Sequence, residues 1–116
     1  MSVVQNDFTK PNTLSLEKHR VFFVVGTKDL SEASMTALKS EVAAHGDLLT
    51  LPSVEDSYKG LTDKVLTALA TIDEDLDFNY LLKVDDDTFV NLPRLVQELE
   101  NSNYKDGLYW GFFDGR

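Results

Sequence analysis

The sequence predicts an α/β domain with a mostly parallel sheet flanked by helices. Short apolar runs alternate with segments of helical periodicity, and the connections between them are short. The length of 116 residues is that of one domain, and a composition of 42% hydrophobic and 27% charged residues is that of an ordinary globular protein. We divide the chain into an N-terminal arm, residues 1–20, and a folded part, residues 21–116.

The first half of the chain predicts a strand and a helix after the arm. Residues 1–20 lack a sustained periodicity and are predicted to form a flexible loop. The β-branched and aromatic run Val21–Val25 is typical of a strand that is buried on both faces. Ser31 caps a predicted helix over residues 32–45. Gly46 ends this helix because glycine readily adopts the left-handed conformation of a helix terminus.

The rest of the chain predicts three more strands and two more helices. The predicted strands are apolar runs between turn-forming residues, namely Leu48–Leu51, Phe78–Val84 and Leu108–Phe113. The predicted helices extend from a cap at Asp56 or Ser57 to residue 72, and from a cap at Asn91, with Pro93 in the first turn, to about Glu100. Helical spacing predicts a core-facing stripe on the first of these helices, formed by Leu61, Val65, Leu69 and Ile72.

Charge and composition exclude several classes of partner and site. The net charge is −9, which argues against nucleic acid and anionic membranes as partners, because proteins that bind them cluster cations. The absence of cysteine excludes disulfides and thiolate chemistry, and His19 and His45 are too few and too far apart to predict a zinc site. No segment of this chain resembles a signal peptide or a membrane anchor.

The acidic residues concentrate in residues 73–87, which hold seven acids and one base. Of the Asp-x-Asp patterns there, only Asp85–Asp87 follows a predicted buried strand, where sheets of this class bind ligands. Adjacent carboxylates suit Mg²⁺ or Mn²⁺, and such an ion can in turn hold a diphosphate. The alternative is that the aspartates only cap a turn. A phosphatase of the haloacid dehalogenase class is excluded, because the fifth position from Asp85 is Phe89 rather than threonine.

Four segments carry a resemblance to a known family. They are Phe22–Gly26, His45–Pro52, Asp56–Lys64 and Leu82–Val90. In this order and spacing they resemble glycosyltransferase family 31, the β-1,3-galactosyltransferases, and the resemblance covers residues 21–116. The ending, residues 108–116, is most similar to members that act on the proteoglycan linkage region.

This resemblance implies a GT-A fold, of which the chain holds the donor-binding half. It implies transfer of galactose, with inversion, from UDP-galactose to a hydroxyl of a glycan acceptor, with Mn²⁺ or Mg²⁺ as cofactor. It also implies a lumenal Golgi domain behind a membrane anchor. By position, Asp87 and Asp85 would bind the metal, Asp85 would also contact the ribose side of the nucleotide, and Asp86 would support both. Lys64 would contact a phosphate, with packing or a surface position as its alternative.

The chain also departs from the family pattern. Gly60 stands where the family usually has asparagine. The Glu-Asp-Val motif, which carries the presumed catalytic base, would lie beyond Arg116. We therefore assign no catalytic residue and expect this chain to be inactive alone. A non-catalytic module that binds UDP and a divalent metal, and an inert fragment, are the alternatives. The aromatic residues near the end are predicted to be mostly core, with sugar stacking as the alternative, and are Tyr109, Trp110, Phe112 and Phe113.

Overall fold

The computed structural model describes residues 2–6, 19–102 and 107–111. Within them, helices alternate with strands from the second strand onward, which confirms the α/β class. The strands are β1 (Ser2–Asn6), β2 (His19–Gly26), β3 (Leu48–Leu51) and β4 (Leu81–Val84), and the helices are α1 (Glu32–His45), α2 (Leu61–Asp75) and α3 (Leu92–Asn101).

The four described strands form one sheet in the order β3-β2-β1-β4. β2 and β3 are parallel, whereas β1 is antiparallel to both β2 and β4. The prediction of a mostly parallel sheet is therefore wrong, because two of the three ladders among the described residues are antiparallel. Strands β2, β3 and β4 nevertheless run in one direction, since β2 and β4 are each antiparallel to β1. Their carboxyl ends lie at the same edge of the sheet, which we call the carboxyl edge.

Strand β1 corrects the prediction of a loop at the N-terminus. Ser2 lies opposite both Phe23 and Val84, so β1 fills the position between β2 and β4. The segment becomes a strand because both of its edges pair with strands that are distant in the sequence, and a local pattern cannot reveal such pairing. Residues 7–18 of the predicted arm lie outside the described part of the chain.

Two of the three helices begin at the predicted caps. The Ser31 hydroxyl accepts a hydrogen bond from the backbone N–H of Ser34 at 3.2 Å, and Gly46 ends α1 with a φ of 68°. Asn91 caps α3 by accepting from the N–H of Arg94 at 3.2 Å. Helix α2 differs from the prediction: it begins after Gly60 without a side-chain cap and extends to Asp75.

The described core lies between α2 and one face of the sheet. Its buried apolar residues are Phe22, Val24, Leu51, Val54, Ala68 and Ile72. Strand β2 buries only one face, since Phe23 is 47% exposed, so the prediction of burial on both faces is wrong. The buried residues of α2 are Lys64, Ala68 and Ile72, whereas Leu61 and Leu69 of the predicted stripe are exposed. The core-facing side of α2 is thus rotated from the predicted one, and it includes a lysine.

The end of the chain also departs from the prediction. Residues 108–111 are not in a strand. Tyr109 and Trp110 are 85% and 59% exposed, so the prediction that they belong to the core is wrong. Phe112 and Phe113 lie outside the described residues.

Candidate functional site

The three consecutive aspartates Asp85–Asp87 lie at the carboxyl edge, directly after β4, and all three are exposed. Ser2 pairs with both Phe23 and Val84, so these two residues lie at the same height across the sheet. Asp85, the residue after Val84, is therefore level with the part of β2 that leads to Gly26. Two strand spacings, about 10 Å, separate these positions across the sheet. The aspartates and the end of β2 therefore border one stretch of the carboxyl edge, where ligands bind in sheets of this class.

Asp85 forms an ion pair with Lys83, which is not among the predicted site residues. The Nζ of Lys83 lies 2.7 Å from Oδ1 of Asp85. This hydrogen bond, together with the charge of Lys83, lowers the pKa of the Asp85 carboxyl and favours its ionised form. Alternation along a strand places residues i and i+2 on one face, and that signal could have found the pair from the sequence.

Asp86 and Asp87 form no ion pair with any described residue, and Asp87 accepts only a long hydrogen bond, 3.5 Å, from the Thr88 hydroxyl. Among the described residues, no group of three His, Cys, Asp or Glu side chains is arranged to hold a metal ion by itself. Mg²⁺ and similar hard ions usually take one or two carboxylates and complete their shell with water and substrate phosphates. Exposed carboxylates after β4 fit such a shared site.

Lys64 lies in the core-facing side of α2, and its side chain is only 10% exposed. Its Nζ is 2.7 Å from Oδ1 of Asp56, and Oδ2 of Asp56 accepts a hydrogen bond from the N–H of Gly26 at 3.3 Å. The Asp56 carboxylate therefore joins α2 to the end of β2 and does not cap the helix as predicted. No local pattern reveals this role, since its partners lie on two different elements.

A groove of about 500 Å³ lies elsewhere on the described surface, between the end of α3 and residues 107–110. It contains neither the three aspartates nor Lys64. Tyr58, which belongs to the segment that resembles the family motif before α2, is 93% exposed. In the part of the chain that the structure describes, none of the helices has the length and apolar character needed to cross a membrane.

A family profile and individual relatives both relate this chain to galactosyltransferases. A profile of the galactosyltransferase family matches residues 6–112. Beta-1,3-galactosyltransferase 6 of Mus musculus is 46% identical over 96 residues, which are 81% of this chain and 30% of the relative. Probable beta-1,3-galactosyltransferase 1 of Arabidopsis thaliana is 36% identical over 104 residues, which are 86% of this chain and 27% of the relative.

A third relative carries a different donor in its name. UDP-GalNAc:beta-1,3-N-acetylgalactosaminyltransferase 1 of Homo sapiens is 31% identical over 94 residues, which are 78% of this chain and 28% of the relative. The chain thus spans less than a third of the length of these three relatives. No solved structure matches it. The family profile and the similarity to these relatives show that the chain belongs to the galactosyltransferase family, glycosyltransferase family 31.

Proposed function

We propose that this chain forms the side of a GT-A galactosyltransferase domain that binds UDP-galactose and a divalent metal. The observation that carries the proposal is the position of Asp85–Asp87, which are exposed at the carboxyl edge of the sheet in a chain of this family. The names of the relatives from Mus musculus and Arabidopsis thaliana support galactose as the transferred sugar and a β-1,3 linkage. The name of the relative from Homo sapiens supports a UDP-sugar as the donor class, although its sugar is GalNAc.

In this proposal the metal is Mn²⁺ or Mg²⁺, and Asp87 and Asp85 are its ligands. When bound, the ion acts as a Lewis acid that stabilises charge on the departing UDP. Asp85 also faces the ribose side of the nucleotide, and Asp86 supports both neighbours. The charge of the ion is needed, because two like charges 4 Å apart near a protein surface repel by about 4 kcal/mol. A diphosphate beside three carboxylates is therefore unfavourable without the ion.

The acceptor in this proposal is a sugar hydroxyl of a glycan, as in the proteoglycan linkage region, and the transfer proceeds with inversion. In this proposal the full-length protein acts in the Golgi lumen behind a membrane anchor, as the family resemblance implies. An inverting transfer needs a base that removes the acceptor proton. No acid of this chain matches the position of the family's base, so the 116-residue chain alone binds the donor without transferring galactose.

Calorimetry with UDP and Mn²⁺ tests the donor site. We expect saturable UDP binding that requires Mn²⁺, is lost in Asp87→Ala and is kept in the matched control Asp75→Ala. Asp75 is an exposed residue at the end of α2 and belongs to the other acidic stretch. Equal binding by Asp87→Ala and the unchanged chain, or no binding by either, would contradict the proposal.

The alternative function is a non-catalytic module that binds UDP and a divalent metal. A galactose transfer assay on a longer form of the protein that includes the Glu-Asp-Val motif separates this module from an enzyme, because only the enzyme gives product. The module binds UDP with Mn²⁺ and gives no product with any sugar acceptor. Product formed by the 116-residue chain would refute both the module and the expected inactivity.

A further inference from the structure

The loop that follows β3 is held against the end of β2 by backbone contacts and by one ion pair. We call residues 52–60 the edge loop. The N–H of Lys28 donates to the carbonyl oxygen of Val54 at 3.0 Å, so the chain leaving β2 is bonded to the edge loop. Gly26 lies so close that a Cβ there would be 2.6 Å from that same oxygen. The edge loop and the end of β2 therefore form one surface of the carboxyl edge.

Lys64 supplies the charged part of this contact from beneath the loop. Its neighbours on the same side of α2 are Ala68 and Ile72, which are buried in the apolar core. A buried ammonium group is costly unless a charge and hydrogen bonds compensate it. Asp56 meets this requirement at 2.7 Å, and its second oxygen is engaged by the N–H of Gly26. The pair thus links three elements: α2, the edge loop and β2.

The ion pair with Asp56 also limits the access of a phosphate to Lys64. Its ammonium group points to Asp56 and its side chain is 10% exposed, so a phosphate in solvent would have to displace Asp56 to reach it. Such a displacement would leave the Asp56 carboxylate without its counter-ion. The side chain of Asp56 is 40% exposed and faces the edge from the loop.

We infer that Asp56 and Lys64 are positioning residues for the nucleoside diphosphate: they fix the edge loop against β2, and Lys64 does not itself contact a phosphate. This inference rests on the proposed function, in which UDP binds at the carboxyl edge with a divalent ion. Both residues then affect nucleotide affinity through one contact, the ion pair between Lys64 and Asp56. The contributions of the two residues must then be strongly non-additive.

The test measures UDP affinity in the presence of Mn²⁺ for Asp56→Asn, Lys64→Met and the double variant. We expect each single change to weaken UDP binding about tenfold. The affinity of the double variant for UDP should be no lower than that of the single variant with the lower affinity. Lys64→Arg keeps the charge and should stay within threefold of the unchanged chain. Lys59→Met, which removes an exposed lysine of the same loop, is the matched control and should have no effect.

Two results would overturn the inference while leaving the proposed function intact. One is that Lys64→Met weakens UDP binding as much in the Asp56→Asn background as alone, which is the behaviour of a direct phosphate contact. The other is that Asp56→Asn, shown to be folded by its unfolding curve, binds UDP within twofold of the unchanged chain. The measurement on Asp56→Asn tests the inference even if Lys64→Met does not fold. If the unchanged chain does not bind UDP, the proposed function fails and this inference fails with it.

Discussion

Replacing Gly26 by alanine should disrupt the packing of the edge loop on β2. A Cβ at this position would lie 2.6 Å from the carbonyl oxygen of Val54 and 2.9 Å from the backbone nitrogen of Asp56. Both atoms belong to the backbone, so no flexible side chain can move aside. Inserting a methyl group into a tightly packed site costs about 1 to 3 kcal/mol, and we expect the upper half of that range.

Urea unfolding followed by circular dichroism measures this cost. With a slope of about 1 to 3 kcal/mol/M, the midpoint of Gly26→Ala should fall by about 0.7 to 3 M. Gly111→Ala is the control, because a Cβ there would meet no described atom within 4 Å. Its midpoint should be unchanged. A Gly26→Ala midpoint equal to that of the unchanged chain would refute the close approach of the edge loop to β2.

Three further changes test the core, a helix cap and an ion pair. Ile72→Ala, at a site 1% exposed, should lower the free energy of unfolding by about 2 to 5 kcal/mol, whereas Leu66→Ala, 61% exposed, should cost less in the same urea titration. Ser31→Ala removes the cap of α1 and should cost about 1 kcal/mol by thermal unfolding; no change would contradict the cap. Lys83→Met should raise the pKa of Asp85 toward its ordinary value in an NMR titration, so this carboxylate becomes protonated at higher pH; an unchanged pKa would contradict the ion pair.

Elements with strong local signals could be predicted from the sequence. Ser31 and Gly46 mark the ends of α1, and Asn91 marks the start of α3, because capping is an interaction between residues a few positions apart. The apolar run Leu48–Leu51 likewise forms β3 as predicted. These signals do not depend on how the elements are arranged in the fold.

Features that depend on distant contacts could not be predicted. Strand β1 requires pairing with both β2 and β4. Helix α2 starts later than predicted, at Leu61. Of the two predicted caps, Asp56 binds Lys64 and Gly26. The hydroxyl of the other, Ser57, accepts a hydrogen bond from the N–H of Gly60, ahead of the helix. Hydrophobic periodicity likewise could not place Lys64 in the core-facing side of α2, because the burial of this lysine depends on its ion pair with Asp56.

In the candidate site, too, local features could be predicted from the sequence and contacts between distant residues could not. The position of Asp85–Asp87 after β4 follows from the sequence, because an apolar run before an acidic run is a local pattern. The pairing of Lys64 with Asp56 does not, since it joins a helix to a loop whose conformation the sequence leaves open. The sequence therefore predicts the metal-binding candidates better than it predicts the residues that support them.

The most direct test of the central claim is to locate Mn²⁺ by its paramagnetic broadening of backbone amide signals in the presence of UDP. The proposed site predicts that the amides of residues 85–88 broaden first and those at the end of β2, near Gly26, next. Signals from residues 73–77, at the end of α2 and after it, should persist to higher Mn²⁺ concentration. Broadening centred on residues 73–77, or equal broadening of all acidic segments with no effect of UDP, would contradict a donor site at the carboxyl edge.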